Sequence, residues 1–404
     1  MGLLTFVATA TPYVLNANLG IPSTEQGQYT GDLQLLNEII MILVFAPAGI
    51  LADRIGRRGV YAFGMLAMAV AYVLYPLSTS LPELYVYRVI YAVGIGMATG
   101  MLQTVVADYP QDMSRGKMVA WGGILNGIGV VTVTFTIARL PGTLVHAGFD
   151  PVDAGRYAHW VAAAFSVLTA LVVATGFQKG APVRHEEKPT LKETILAGIV
   201  EGMRNPRIAL AYACSFIARS DLVVLGTFTT LWGQTAGMDA GLDPARAAAA
   251  GAKIFGTASL AALLWLPIIG SIVDRMNRIS GVILCLVLAI IGFMSTVFID
   301  DPLKPAALGW FALLGIGQIS AFLGATVLIS HEAPLKTRGS VVGMFNMVGA
   351  VGILVSVGVG GRLFDAIRPA APFVFIGLLT ILVALWGVGV RIRAPGYIPG
   401  NDPA

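Results

Sequence analysis

Charge is what this sequence has least of. Only 12% of its residues are Asp, Glu, Lys or Arg, about half the share of an ordinary soluble domain, so a water-soluble globule is excluded. No Lys or Arg precedes Arg54, which removes the basic region a signal or transit peptide requires. Cysteine occurs twice, as Cys214 and Cys285, each inside an apolar run without metal-ligand spacing; both read as packing residues with no redox content. The four histidines, His146, His159, His185 and His331, lie at or near the ends of apolar runs. No phosphate-cradling glycine loop, dinucleotide fingerprint, His-rich cluster or Ser-His-Asp pattern is present, so no enzyme, cofactor or metal is expected.

What fills the chain instead is apolar surface. Hydrophobic residues make up 56% of it, and mean hydropathy is +0.78. Runs of about 20 apolar residues, the length that crosses a hydrocarbon core of about 30 Å as a helix, follow one another at 31–52, 60–79, 83–107, 117–139 and 157–177. They resume at 207–233, 247–270, 280–299, 306–330, 340–361 and 371–391. These runs are too long and too uniform for barrel strands, which alternate. Residues 3–19 form a shorter apolar segment, weakened at one end by Pro12, Asn16 and Asn18. The expected fold is an all-α polytopic membrane protein, with one helical half at 1–177, a polar linker at 178–206, a second helical half at 207–391 and a tail at 392–404.

The basic residues set the topology. Of 26 Lys and Arg, 17 fall in alternate loops, in the linker or in the tail. The positive-inside rule makes that face cytoplasmic, with the linker and C-terminus on it. The net charge of +4 is therefore topological, and the expected partner is a lipid bilayer, not nucleic acid.

Repetition divides the chain. The turn GILADRIGRR, with Gly49, Asp53, Arg54, Gly56, Arg57 and Arg58, returns in weaker form as GSIVDRMNR, with Asp274, Arg275 and Arg278; the two aspartates are 221 residues apart. DYPQDMSRG, holding Asp108 and Arg115, matches EAPLKTRG, holding Glu332 and Arg338, at an offset of 223, and so do Arg139-Leu140 and Arg362-Leu363. Six spans repeated by six in the same in/out order give two bundles related by a parallel pseudo-twofold, with a solute path between them. On that ruler the seventh span has a counterpart beginning before residue 1, so the first of twelve helices is expected to lack its cytoplasmic half.

At these residues the chain resembles the major facilitator superfamily. The GxxxDRxGRR loop matches the superfamily signature, Arg88 followed by Gly94 and Gly100 resembles its fourth-helix pattern, and the Pro-x-x-x-Arg-Gly turns fit as well. The departures are Asn277 in place of glycine and a single arginine, Arg278, in the second copy. The resemblance implies that the loop aspartate locks a cytoplasmic gate. From the residues themselves, Gly49 would allow close helix approach, Gly56 a tight turn, and Asp53 a contact with a helix N-terminus; the plain alternative is a basic turn that sets topology. Arg115 and Arg338 read equally well as positive-inside anchors.

Charges inside spans must be matched or wetted. Glu38 lies about 22 Å above the cytoplasmic turn, and Arg219 and Asp221 about 20 Å along the seventh span; Arg88 falls in the outer third of the fourth. Asp32 and Lys253 stand at corresponding levels nearer the outer surface. Glu38 or Asp221 would be a proton-titrating carboxylate, with Arg88 and Arg219 tuning it or holding an anionic solute group. The plain alternatives are charge neutralisation across helices and hydrogen bonding of Arg88 to backbone carbonyls. Gln103, Asn126 and Gln318 could line a cavity or simply join helices. The expected function is a monomeric secondary transporter of a small solute in an inner or plasma membrane. It would work by alternating access with protons as the coupling ion and lean slightly toward an organic anion. Efflux of a drug-like or neutral solute is the alternative, and a non-transporting membrane sensor or partner protein is the alternative of another class.

Overall fold

The computed structural model describes residues 2–22, 25–108, 115–177, 191–334 and 337–395. Among the described residues there are fourteen α-helices and no strand, and eleven helical segments are long and apolar enough to cross a membrane. In chain order the helices are α1 (Gly2–Ala17), α2 (Gln26–Ile55), α3 (Arg57–Leu74), α4 (Leu81–Asp108), α5 (Arg115–Phe135), α6 (Leu140–His146) and α7 (Pro151–Gly176). There follow α8 (Leu191–Arg204), α9 (Pro206–Asp239), α10 (Pro244–Asp274), α11 (Arg278–Ser295), α12 (Ala307–Glu332), α13 (Arg338–Ala366) and α14 (Ala371–Arg393). Side chains such as Leu43, Leu264 and Leu385, about two-thirds exposed, point away from the protein, as lipid-facing residues do.

The 16 residues of α1 rise only about 24 Å, less than a hydrocarbon core. Two segments depart from the sequence expectation. The fifth, expected at 117–139, breaks after Phe135 into a 3₁₀ turn at Ile137–Arg139 and continues as α6 to His146. Pro141 in the first turn of α6 explains the break, because it lacks the N–H an uninterrupted helix would use there. The matching position in the second half is Phe364, and α13 runs on unbroken past Arg362. The second departure is α8, a helix inside the segment read as a polar linker.

Contacts divide the chain into two compact units, Met1–His185 with Thr229–Gly256, and Glu186–Phe228 with Thr257–Ala404. In the first, α3 and α4 cross at glycines: a Cβ on Gly94 would stand 2.7 Å from the Met68 nitrogen, and one on Gly64 2.8 Å from that of Ala98. Around this crossing Phe6, Met68, Tyr72 and Tyr75 are fully buried. The same unit holds the α9–α10 hairpin tip, where a Cβ on Gly233 would lie 2.6 Å from the Gly251 Cα; Ala245 and Ala248 cluster with Tyr13. In the second unit α12 lies on α11 through Gly317, whose Cβ would come 2.8 Å from the Leu288 carbonyl, and through Gly324 against Cys285. Small residues at these crossings let van der Waals packing replace the hydrophobic drive that is missing between helices in lipid.

Candidate functional site

In the first unit Arg88 stands on α4, about 10 Å along that helix. Its Nε donates to the Leu33 carbonyl at 3.2 Å and its Nη2 to Gln34 Oε1 at 2.6 Å. The guanidinium carbon lies 5.2 Å from the centre of the Tyr91 ring. Gln34 then passes the connection on, its Nε2 donating to Glu38 Oε1 at 2.9 Å, while Asn37 Nδ2 approaches the same oxygen at 3.5 Å. Residues 34 and 38 sit one helical turn apart on α2, so one face of that helix presents both to α4. Arg88 is 2% and Glu38 4% exposed. Arg88 thus binds a backbone carbonyl, as the plain alternative expects, and is also joined to the in-membrane carboxylate through a neutral amide. Its Nη1 is buried with no hydrogen-bond partner among the described residues.

In the second unit Arg219 Nη2 donates to Asn346 Oδ1 at 2.9 Å. Its aliphatic stem occupies the space a side chain at Gly349 would need, and Ser215 one turn earlier donates to the Phe345 carbonyl at 2.7 Å. The side chains of Asp221 and Gln103 lie outside the described residues. Gln318 is buried, and its Nε2 has no hydrogen-bond partner among the described residues. Asn126 is exposed. Asp32 is half-buried and Lys253 exposed.

The signature turn is built as its glycine predicts. Gly56 adopts φ +92° and ψ 150° between α2 and α3, a region open to glycine and strained for other residues. Arg58 Nη1 donates to the Phe177 carbonyl at 3.3 Å, and Arg54 is exposed. Gly49 is a correction: a Cβ there would meet nothing within 4 Å, so close helix approach is not its role. The Asp53 side chain lies outside the described residues, as do those of Asp108 and Arg115. In the second copy Asp274 pairs with Arg278 at 3.5 Å, Arg275 is exposed, and Asn277 does a different job from glycine. Its Oδ1 caps α11 by accepting from the Ile279 and Ser280 nitrogens, and its Nδ2 donates to the Pro395 carbonyl at 2.7 Å. Glu332 pairs with Arg207 at 2.9 Å and accepts from Asn205 at 3.3 Å, fixing the start of α9 to the end of α12. Arg338 donates to the Ser330 carbonyl at 3.3 Å.

His159 is misplaced by the sequence reading. Asp150 caps α7 by accepting from the Val152 nitrogen, and Pro151 opens the helix, so His159 lies about 12 Å inside it and not at a span end. It is fully buried. Nδ1 is 2.9 Å from the Gly155 carbonyl, and the ring stacks on Tyr75 with Phe6 at its edge. Tyr75 in turn shares a 3.0 Å hydrogen bond with Thr11.

The profile of the Major Facilitator Superfamily matches residues 1–357 and, again, 254–403. The chain belongs to that superfamily. Members of the Major Facilitator Superfamily are transporters and not enzymes. Among curated proteins the chain is 30% identical to magnetosome protein MamH of Paramagnetospirillum magneticum over 420 residues, covering all of this chain and 92% of the relative. It is 27% identical to magnetosome protein MamZ of the same organism, over 93% of this chain and 58% of the relative. Of solved structures, a mutant form of the nucleoside transporter NupG superposes with a TM-score of 0.72 at 18% identity, over 96% of this chain and 98% of that one. The inward-open xylose transporter XylE of E. coli gives 0.71 at 16%, over 99% and 95%. The fold is the two-domain, twelve-helix fold of these Major Facilitator Superfamily transporters.

Proposed function

We propose that the chain carries a small solute across its membrane by alternating access, coupled to protons, with Glu38 as the titrating carboxylate and Arg88 as its fixed countercharge. The carrying observation is the buried Arg88–Gln34–Glu38 chain. A carboxylate kept in an apolar span is costly, and such groups mark ion and solute pathways. Gln34 joins the cation to the carboxylate, so a proton gained or lost at Glu38 is felt along the chain while Arg88 stays in place. The unpaired Arg88 Nη1 favours a solute bearing an anionic group, which the guanidinium can receive in fork geometry. By the distribution of Lys and Arg, the linker and tail are cytoplasmic. Its similarity to the magnetosome proteins MamH and MamZ supports a magnetosome membrane as the place of work.

The test uses the full chain in proteoliposomes, with labelled organic anions and neutral polyols offered under an imposed pH gradient. Anion uptake driven by the gradient, and lost on pH driving but kept as exchange in Glu38→Gln, supports the reading. Uptake indifferent to both the gradient and Glu38→Gln removes proton coupling, and uptake of the neutral solutes alone removes the anion. A chain that moves no solute in any arm is a sensor or partner protein.

A further inference from the structure

Two side-chain amides reach the same carboxylate oxygen: Gln34 Nε2 donates to Glu38 Oε1 at 2.9 Å, and Asn37 Nδ2 approaches it at 3.5 Å. They differ in what holds their other end. Gln34 Oε1 accepts from Arg88 at 2.6 Å, and because a guanidinium carries donors only, a turned Gln34 would set N–H against N–H. Its orientation is locked. Asn37 is 2% exposed, and its Oδ1 has no hydrogen-bond partner among the described residues. A buried acceptor left without a donor is costly. Half a turn of the amide would exchange its oxygen and nitrogen, two groups of nearly equal size, in the same space, and the long contact to Glu38 is a weak restraint on that turn.

We infer that Asn37 is a positioning residue that follows the protonation state of Glu38, donating to the carboxylate and, after half a turn of its amide, accepting from the carboxylic acid. The inference rests on Glu38 as the titrating group. On protonation Oε1 takes a proton from water and the carboxylate becomes neutral; no other covalent bond forms or breaks. The new hydroxyl can still accept from Gln34 with a remaining lone pair, but its hydrogen needs an acceptor. Gln34 cannot supply one without losing Arg88, and Arg88 has none. Tyr91, the other titratable group near Glu38 on α4, has its hydroxyl engaged with that of Tyr72 on α3, and α1 carries no charged residue. Asn37 Oδ1 is the acceptor that the geometry leaves. The two amides divide the work: Gln34 holds the carboxyl group toward Arg88 in both states, and Asn37 keeps it hydrogen-bonded in both, so that neither state strands a donor inside an apolar span.

Infrared difference spectra of the full chain in liposomes, recorded through a pH titration, test it. The carboxylic-acid C=O band that disappears in Glu38→Gln belongs to Glu38. In Asn37→Leu that band should move to higher wavenumber, because the acid O–H has lost its acceptor. In the parent chain carrying isotope-labelled asparagine, a side-chain amide C=O band should move to lower wavenumber as Glu38 takes its proton, and the shift should be missing in Glu38→Gln; this measurement decides the matter should Asn37→Leu fail to fold. A Glu38 band that Asn37→Leu leaves unmoved, or asparagine bands indifferent to pH, overturns the inference and leaves Glu38 as the titrating carboxylate. A parent chain with no Glu38-dependent band at any pH overturns both.

Discussion

Gln34 stands between Arg88 and Glu38 as a relay: it accepts from the guanidinium at 2.6 Å and donates to the carboxylate at 2.9 Å. Both bonds involve an ionisable group, and such hydrogen bonds contribute about 1.5–3 kcal/mol each. Gln34→Leu keeps the bulk but takes one hydrogen bond from a buried cation and one from a buried carboxylate. It should lower stability in detergent by about 3 kcal/mol or more, read from denaturation midpoints, while Gln34→Glu should restore part of the loss by accepting from Arg88. Equal losses in the two variants would show that the relay contributes through shape alone.

Glycine positions should separate sharply. Gly94→Ala drives a methyl against the Met68 backbone, which cannot yield as a side chain does, and should cost about 1–3 kcal/mol. Gly49→Ala places its methyl in open space and should be neutral, or stabilising by up to about 1 kcal/mol through helix propensity. Melting temperatures of the two variants decide the matter; a large loss at Gly49 would restore close approach as its role.

The two copies of the signature turn should respond differently to the same replacement. Gly56→Ala forces a side chain into φ +92°, at about 1–3 kcal/mol. Asn277→Ala loses the cap on α11, at about 1 kcal/mol, while Asn277→Gly should cost only a few tenths, about 0.3 kcal/mol. Chemical denaturation of the three variants checks the order Gly56→Ala, Asn277→Ala, Asn277→Gly.

The Arg207–Glu332 pair is part-exposed, by 30% and 11%, so its coupling should be modest. A double-mutant cycle with Arg207→Met and Glu332→Gln should return about 1 kcal/mol. That value should fall in high salt, and a coupling indistinguishable from zero would show that Asn205 and packing hold the joint without it.

The spans and basic turns were legible because each leaves a strong local mark: about 20 apolar residues, or a cluster of arginines beside a glycine. His159 reads as a span-end residue because the unbroken apolar stretch starts at Tyr157, whereas the helix start signal, Asp150–Pro151, stands six to seven residues earlier. Gln34 carries no mark in the sequence, because a neutral amide in a span has no charge to account for, and only its position one turn from Glu38 and opposite Arg88 gives it a role. The helix α8 was hidden by its charges, which lower hydropathy to that of a linker; its apolar residues become visible only when placed around a 3.6-residue turn. Asn277 read as a decayed glycine because the two residues start the next helix by different means, one by backbone freedom and one by a capping oxygen.

The order in which the chain visits its two units limits how it can be cut. It leaves the first unit at Glu186, returns at Thr229 and departs again after Gly256. A fragment ending at residue 185 would therefore lack the α9–α10 tip, leaving Tyr13 without Ala245 and Ala248 and Gly142 without the Ala245 carbonyl. No single break in the polypeptide yields either unit whole. Half-length fragments would expose raw apolar surface, and reassembly from two pieces would require the second piece to reach back and complete the first.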